Sequence, residues 1–315
     1  MAVKFLQIKQ NPDANLCSED PTRGECLPPH RVSRALIICG IIALLIFWPL
    51  STVVLFSINA LGLAIVLFFS GLQGLFLIGY AFAVTARKQW WRWFTLASGG
   101  LGILMFSLVD AVNLDLHGFF ELIILGTAGA AIGHTMVTTV IGPLIFGRIL
   151  CGWGCWRAMV LERLPIGKGS NRRKGVWAWT SLIGIAVSFV VAYLLAVAPG
   201  QKYGDSVWSV IAGVSVYYAA AIALALILHD QRAFCKYLCP TGFILRWTSR
   251  PALLHVYAQA KVCNECETCT DVCPMDIPVA ERVKMGTSIS KGDCILCQRC
   301  VESCPAGVLT TGFKK

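Results

Sequence analysis

Charge is scarce in this chain. Of its 315 residues only 14% are charged, whereas 56% are hydrophobic, and the mean hydropathy is positive. An average soluble domain carries about 25% charged residues. The shortage of charge therefore excludes an ordinary soluble protein and indicates that much of the chain lies in a membrane.

Several catalytic motifs are also missing. The sequence has no phosphate-binding glycine loop, no nucleophile elbow and no zinc-hydrolase motif, which excludes the nucleotide-binding and hydrolytic classes that these motifs mark. A cleavable signal peptide is not predicted either, because a mostly polar stretch that includes Asp13, Glu19, Asp20 and Glu25 precedes the first apolar run. We therefore expect residues 1–34 to form a cytoplasmic N-terminal tail.

The net charge of +10 does not indicate a nucleic-acid partner. From Pro251 to the C-terminus the chain has seven Lys or Arg and seven Asp or Glu residues, so this region is neutral. The positive excess lies between the apolar segments instead, where basic residues set membrane topology.

Six apolar segments approach the twenty residues that a helix needs to cross a bilayer. They are Ala35–Ser57, Ala60–Thr85, Trp93–Val112, Phe119–Phe146, Val176–Ala198 and Val207–Leu228. Only Ile58 and Asn59 separate the first two, which predicts a tight helical hairpin. We expect a six-helix transmembrane domain over residues 35–250.

Basic residues predict the orientation of these spans, because they concentrate in cytoplasmic loops. Three loops hold them: Arg87, Lys88 and Arg92; then Arg148, Arg157, Arg163, Lys168, Arg172, Arg173 and Lys174; then Arg232, Lys236, Arg246 and Arg250. The alternate loops hold one basic residue and several acidic ones: Lys202, Asp110, Asp115, Glu121 and Asp205. An aromatic belt is expected on the cytoplasmic side, at Trp90, Trp91, Trp93, Trp177 and Trp179. The pattern predicts a multi-pass protein of a bacterial cytoplasmic (inner) membrane with both termini in the cytoplasm.

Eight of the fifteen cysteines form two copies of C-x2-C-x2-C-x3-C-P near the C-terminus. This spacing lets one tight loop supply three thiolates to a [4Fe-4S] cluster, while the fourth cysteine ligates the other cluster. The predicted ligand sets are Cys263, Cys266, Cys269 and Cys304 for cluster 1, and Cys273, Cys294, Cys297 and Cys300 for cluster 2. Zinc sites would show two separated C-x2-C halves rather than three cysteines in tandem. Residues 251–315 are therefore expected to form a small α+β domain like a bacterial 2[4Fe-4S] ferredoxin.

Two further cysteine pairs form an internal repeat. Arg148-Ile-Leu-Cys151-Gly-Trp-Gly-Cys155 and Arg232-Ala-Phe-Cys235-Lys-Tyr-Leu-Cys239 share the pattern R-x-x-C-x-aromatic-x-C at the ends of two predicted spans. At positions i and i+4 of a helical end the two sulfurs of each pair would face the same way. The four thiols could hold a third cluster, form a redox-active dithiol or bind a thiophilic metal in transit.

The remaining cysteines and the histidines give weaker signals. Cys17, Cys26 and Cys39 match no metal-binding spacing and are interpreted as incidental. Haem b would need two imidazoles at one depth, but His134 is central in the fourth predicted span while His117 and His229 lie at opposite edges. Because a polar group in lipid is costly and often functional, His134 and His229 are candidates for a quinone site.

From about Phe119 to the end, the chain resembles the NapH/NosR/CcoG/MauN type of polyferredoxin membrane proteins. The resemblance is carried by Cys151 and Cys155, by Cys235 and Cys239-Pro240, and by the eight C-terminal cysteines. Two departures from the pattern are that Trp156 stands where the first motif would have its proline, and that no extracytoplasmic flavin domain like that of NosR is present.

The resemblance implies one of two functions. The first is quinol-linked electron transfer to a partner oxidoreductase or to cytochrome subunits of a respiratory complex. The alternative is a maturation factor that reduces or delivers a metal such as copper during assembly of a respiratory metalloenzyme. Membrane lipid is the expected surrounding in both cases, and the clusters would carry the redox chemistry.

Overall fold

The computed structural model of the chain describes residues 60–110, 113–124, 130–169, 179–197, 207–258, 263–289 and 292–313. The predicted N-terminal tail, the first predicted span Ala35–Ser57, and Cys17, Cys26 and Cys39 lie outside the described residues. All twelve cysteines of the predicted sites lie within them.

Two long helices form a hairpin that supports one side of the bundle. Helix α1 covers Ala60–Phe82 and helix α2 covers Thr85–Val109, with two residues between them. Each helix is both long enough and apolar enough to cross a bilayer. Glycines on α2 permit close packing, because a Cβ at Gly102 would come within 2.8 Å of the Phe69 side chain on α1.

The segment predicted as one continuous span, Phe119–Phe146, is broken in the structure. Helix α3 covers Leu116–Ile124, and a second helix runs through α4 (Ala130–Met136), a π-helical turn (Val137–Ile141) and α5 (Gly142–Phe146). Pro143 carries no backbone N–H, so it cannot continue the regular hydrogen-bond ladder, and π turns of this kind accommodate such a defect.

A sharp bend follows α5. Gly147 has φ +63°, a conformation that favours glycine, and the chain then enters α6 (Ile149–Trp153) and α7 (Trp156–Leu161). The helical segments before and after this bend meet at 95°. The fourth predicted span is therefore a bent pair of helices rather than a single rod.

Two more apolar helices follow in the described part of the chain, and two short helices come after them. Helices α8 and α9 cover Ser181–Val197 and Val207–Leu228, and are followed by α10 (Ala233–Tyr237) and α11 (Pro240–Thr248). Pro240 begins α11 at the first helical position, where its missing N–H costs no intrahelical bond.

Within the described ranges, three helices are long and apolar enough to cross a membrane, or four if the bent pair counts as one span. The three are Ala60–Phe82, Arg87–Val109 and Val210–Leu228, whereas Ser181–Leu194 is shorter. Six spans are thus not confirmed. The first predicted span is outside the described residues. The fifth gives a helix of 17 described residues, shorter than the roughly twenty that a helix needs to cross a bilayer.

The C-terminal domain is built around two antiparallel strands. Strand β1 (Leu254–Ala258) pairs with β2 (Leu309–Phe313), so that Leu254 lies opposite Phe313 and Ala258 opposite Leu309. The short helices between them are α12 (Thr268–Asp271), α13 (Val279–Lys284) and α14 (Arg299–Glu302). The two strands therefore join the beginning and the end of the domain.

The domain shares its hydrophobic core with the membrane helices. Leu77 and Tyr80 of α1 and Trp153 of α6 belong to the same buried cluster as the domain interior. The indole Nε1 of Trp153 donates to the carbonyl oxygen of Leu296 at 2.9 Å, and the hydroxyl of Tyr80 donates to the Glu302 carboxylate. The ferredoxin-like domain is thus packed onto the helix ends rather than tethered beside them.

A buried ion-pair network connects three parts of the chain. The Glu162 carboxylate, 4% exposed, pairs with Arg92 of α2 at 2.5 Å and with Arg232 before α10. Burial alone would raise the pKa of Glu162, but Arg232, Arg92 and Arg299 hold it well below its ordinary value. The carboxylate therefore stays ionised and compensates two guanidinium groups that are themselves buried.

Replacing Glu162 with Gln should destabilise the fold, because it leaves Arg92 and Arg232 buried without a counter-charge. Breaking a buried pair in this way costs about 3–5 kcal/mol. Thermal unfolding in detergent should show a midpoint lower by at least about 6 °C, while Glu281→Gln, at an exposed site on α13, should leave it unchanged.

The depressed pKa of Glu162 determines how the difference in stability between wild type and E162Q depends on pH. The advantage of wild type over E162Q is present above the ordinary glutamate pKa of about 4.3 and is lost as the pH falls below it. Equal midpoints for the two proteins at pH 7 would contradict a stabilising role for the network.

Candidate functional site

The two C-terminal cysteine motifs fold in the same way. The residues on either side of the middle cysteine have left-handed backbone conformations in both copies: Glu265 and Glu267 flank Cys266, and Leu296 and Gln298 flank Cys297. Such conformations cost about 1–3 kcal/mol each for residues other than glycine, and they persist where surrounding structure demands them. Here they curl the chain tightly enough for the three cysteines of each loop to face one centre.

The structure brings cysteines of the two motifs close together. Cys269 interacts electrostatically with Cys304 and Cys266, which belong to the set predicted for cluster 1. Cys300 interacts with Cys294 and Cys297, and also with Cys273 and Cys269. The fourth cysteine of each motif therefore lies near cysteines of the other loop.

The set predicted for cluster 2 surrounds one cavity. Cys273, Cys294, Cys297 and Cys300 all line it, and the remaining lining is mainly apolar. Burial raises the pKa of the Cys273 thiol and raises that of Cys300 further. Thiols in such surroundings become thiolates when they bind iron, and the donor set of four sulfurs in an apolar shell fits a [4Fe-4S] cluster.

Backbone N–H groups also point at these sulfurs. The N–H of Leu296 donates to Cys294 Sγ at 3.4 Å, and those of Met275 and Ile277 donate to Cys273. Hydrogen bonds to sulfur stabilise the thiolate and tune the reduction potential of a cluster. Among the residues that the structure describes, no three His, Cys, Asp or Glu side chains form a site for a single metal ion.

The two predicted clusters differ in exposure. In the set predicted for cluster 1, Cys266 is exposed and Cys263 is half-buried, while Cys269 and Cys304 are buried. In the set predicted for cluster 2, Cys294 is half-buried and the other three cysteines are buried. Cys300 also interacts electrostatically with Cys269 of the first set, so the two groups adjoin. The exposed part of the first set is thus confined to the beginning of its loop, at Cys263 and Cys266.

The two C-x3-C motifs adopt the same local structure, which supports their interpretation as a repeat. Arg148 and Arg232 each precede a five-residue helix, α6 and α10, that contains the first cysteine. Cys155 and Cys239 each cap the start of the next helix, α7 and α11. The Cys239 sulfur accepts a hydrogen bond from the Gly242 N–H at 3.3 Å.

This structure corrects the expectation that each pair lies at positions i and i+4 of one helical end. The first helix ends before the second cysteine, at Trp153 in one copy and at Tyr237 in the other, so the two sulfurs belong to different helices. The repeat brings the four thiols together instead. Cys239 interacts electrostatically with Cys235, Cys151 and Cys155.

Three buried arginines surround these four thiols. Arg148 interacts with Cys151 and Cys239, Arg157 with Cys239 and Cys155, and Arg232 with Cys235 and Cys155. The three side chains are less than 5% exposed. From the sequence alone, these arginines were interpreted as loop residues that set the membrane topology. The structure places them beside the cysteines, where positive charge favours an anionic occupant.

One of these arginines lies in a place that the topology prediction did not anticipate. Arg157 forms a buried ion pair with Asp115, although the sequence places these residues in loops on opposite sides of the membrane. The neighbouring Trp156 packs against Gly100, near the middle of α2. The cysteine repeat thus reaches further into the helix bundle than a position at the span ends would allow.

The two histidines predicted for a quinone site lie in different environments. His134 is buried within the helix that contains the π turn, and His229 is an exposed residue with φ 48° after α9. Neither lines the cavity between α8 and α9, which His117, Ser188 and Tyr217 line with apolar neighbours. Sequence reasoning weighed His117 only for haem and did not consider Ser188 or Tyr217. The signal available for them was a polar side chain within an apolar helix.

Comparison with known protein families agrees with the cysteine geometry. A 4Fe-4S dicluster domain family matches residues 262–309. A 4Fe-4S binding domain family matches residues 129–166 and 212–256, and each of these segments contains one C-x3-C motif. No solved structure matches the chain.

Individual relatives are similar over more than half of the chain. YccM of Escherichia coli, named for electron transport, is 26% identical over 71% of this chain and 63% of its own length. The ferredoxin-type protein NapH of Escherichia coli is 26% identical over 58% of this chain and 68% of its own. The methylamine utilization ferredoxin-type protein MauN of Methylorubrum extorquens is 28% identical over 58% and 67%, respectively.

The contact between the repeat and the cluster loops gives a prediction. A Cβ at Gly152, next to Cys151, would overlap the carbonyl oxygen of Ile295, which lies between two predicted cluster 2 ligands. Gly152→Ala should therefore displace that loop and lower the iron content by about four atoms per chain. Gly167→Ala, which has open space around it, should keep the wild-type content, and equal iron in both variants would refute the assigned contact.

Proposed function

We propose that this chain, a ferredoxin-type 4Fe-4S polyferredoxin related to NapH, MauN and YccM, relays electrons between the quinol pool and a partner respiratory oxidoreductase. That it is an iron–sulfur electron-transport protein with several candidate membrane spans follows from the family matches and the helices. The quinol, the partner and the membrane are parts of the proposal.

The observation that carries the proposal is the continuity of the three cysteine groups. Gly152 of the C-x3-C repeat touches the Ile295 carbonyl, and Trp153 donates to Leu296 in the same loop. Arg148 reaches the same region through a 3.2 Å hydrogen bond to the Gly292 carbonyl. The helix bundle is thus in direct contact with the loop predicted to hold cluster 2, and that ligand set adjoins the set predicted for cluster 1.

A third [4Fe-4S] cluster is the occupant that the C-x3-C thiols fit best. Their residues would be Cys151, Cys155, Cys235 and Cys239, one pair from each segment matched by the 4Fe-4S binding family. The three adjacent guanidinium groups favour several thiolates at once over neutral thiols. A cluster bound there would supply one-electron redox chemistry within the helix bundle.

The partner is proposed to approach at the exposed cluster 1 loop. Cys266 is exposed there, and its flanking residues Glu265 and Glu267 are exposed as well. This surface carries acidic side chains, with one exposed pair between Glu265 and Lys284 at 2.7 Å. A partner with a basic face around its own redox centre would complement it.

Iron counting tests the number of clusters. Anaerobically purified protein should contain about twelve irons per chain, and Cys239→Ser should contain about eight because one four-iron site loses a ligand. Cys39→Ser, a cysteine outside all predicted ligand sets, should keep about twelve.

Reduction of the clusters by a quinol tests whether electrons enter the chain from the quinol pool. We expect a quinol analogue to reduce the clusters of the wild-type protein, followed by electron paramagnetic resonance, and to reduce Cys239→Ser more slowly. The maturation alternative predicts copper binding without reduction of the clusters by quinol. About eight irons in wild type, no reduction by quinol, and stoichiometric copper binding that disappears in Cys151→Ser would overturn the electron-relay proposal.

A further inference from the structure

We propose that two arginine–tryptophan patches, at the junction of the helices and the C-terminal domain, bind the phosphate groups of anionic phospholipids. The Arg163 patch consists of Arg163, Trp90 and Trp93. The Arg250 patch consists of Arg250 and Trp247. This inference rests on the membrane location in the proposed function but not on the electron relay, and it adds a ligand that the relay does not need.

Two indoles hold the guanidinium of the Arg163 patch. Its central carbon lies 4.0 Å from the centroid of the Trp90 ring and 3.9 Å from that of the Trp93 ring. Trp93 is fixed in turn, because its Nε1 donates to the Met159 carbonyl oxygen at 3.0 Å. The faces of aromatic rings attract a guanidinium through its charge, so its N–H groups stay available as hydrogen-bond donors. The patch therefore presents donors in a fixed position.

The donors of both patches are not used within the described part of the chain. Among the residues that the structure describes, none accepts a hydrogen bond from the Arg163 or the Arg250 guanidinium. The carboxylate next to Arg163 in the chain, that of Glu162, pairs with Arg92 and Arg232 instead. The planar fork of a guanidinium matches a phosphate group through two parallel hydrogen bonds. An anion with several oxygens is therefore the ligand that each patch fits.

The Arg163 patch lies at one end of an exposed apolar stripe on α2. Trp90, Phe94, Leu101 and Met105 share one face of this helix, and each is between 37% and 55% exposed. Because α2 is long and apolar enough to cross a bilayer, acyl chains of lipids cover such a stripe. The headgroup of a lipid that lies along it is then at the level of Arg163.

The Arg250 patch has similar surroundings. The Arg250 guanidinium lies 3.7 Å from the centroid of the Trp247 ring, and Trp247 is 43% exposed. The centroid of the Trp179 ring lies 6.5 Å from that of Trp247. Trp179 stands just before α8, where Ile183 and Val190 share a face and are 57% and 52% exposed. This patch too is placed at the end of an exposed apolar helix face.

Both patches adjoin one loop of the C-terminal domain. Gln89, which precedes the first tryptophan of the Arg163 patch, donates to the Cys297 carbonyl oxygen at 3.4 Å. Arg246, which precedes the tryptophan of the Arg250 patch, pairs with Asp293 at 2.8 Å. The two patches therefore lie at the same end of the helices, where the domain meets them. Tryptophan and arginine at that level match the headgroup region of a bilayer, where anionic lipids attract basic residues.

Lipid counting by native mass spectrometry tests both sites. The full chain is purified in dodecyl maltoside and exposed to dioctanoyl phosphatidylglycerol, because a neutral micelle has no surface potential that attracts every basic residue alike. Arg163→Gln and Arg250→Gln should each retain one lipid fewer than wild type and weaken binding at the altered patch about tenfold, through the lost charge-assisted hydrogen bonds. Trp90→Leu should weaken binding at the Arg163 patch in the same direction.

Arg87→Gln is the matched control. Arg87 is an exposed arginine near the start of α2, and it contacts no aromatic ring among the described residues. This variant loses the same charge and should retain as many lipids as wild type. Equal lipid numbers in wild type, R163Q and R250Q, or an equal loss in R87Q, would overturn the two sites. Inorganic phosphate that displaces the lipid at similar concentrations would assign the patches to free phosphate and overturn the lipid ligand.

Iron content and cluster reduction, measured on the same samples, separate this inference from the proposed function. R163Q and R250Q are expected to keep the iron content of wild type while they lose lipid. If wild type binds no anionic lipid but its clusters are reduced by the quinol analogue, the relay stands and the two sites are overturned. Lipid binding that both variants weaken, without reduction of the wild-type clusters, would support the sites and overturn the relay.

Discussion

Compensation of buried positive charge is the constraint on which the rest of this structure depends. Arg92, Arg148, Arg157 and Arg232 are each less than 5% exposed, although guanidinium groups remain charged in proteins. Glu162 compensates two of them and Asp115 a third. Three of these arginines, Arg148, Arg157 and Arg232, also lie beside the C-x3-C thiols, where their charge favours an anionic occupant.

The junction between membrane helices and the ferredoxin-like domain is a continuous core, not a linker. Leu77, Tyr80 and Trp153 pack in the same cluster as the cysteines of the domain, and a lysine, Lys236, pairs with Asp276 of the domain at 2.5 Å. A shared core with buried ion pairs packs the domain directly onto the helix ends. Cys266, in the loop predicted to hold cluster 1, remains exposed.

Sequence reasoning worked best where the ligand geometry is local. Three cysteines within seven residues lie in one short loop, and the structure places Cys269 near Cys266 of the same loop and near Cys304 of the other motif. It worked less well for the membrane part, because hydropathy gives the length of an apolar segment but not its bends. Pro143 and Gly147 break the fourth predicted span, and both are visible in the sequence, but the 95° angle depends on what the following helices pack against.

The sequence by itself determined the class of this protein: a helical membrane chain with iron–sulfur ligands, since composition and short-range cysteine spacing are local properties. Only the tertiary structure decided what lies next to those ligands. In the structure Asp115 pairs with Arg157, although the sequence predicted them on opposite sides of a membrane. Arginines that were interpreted as residues setting the membrane topology lie beside the thiols. His117 and Tyr217, a hundred residues apart in the chain, line one cavity. These contacts arise from packing between distant helices, a long-range property that no local pattern in one sequence records.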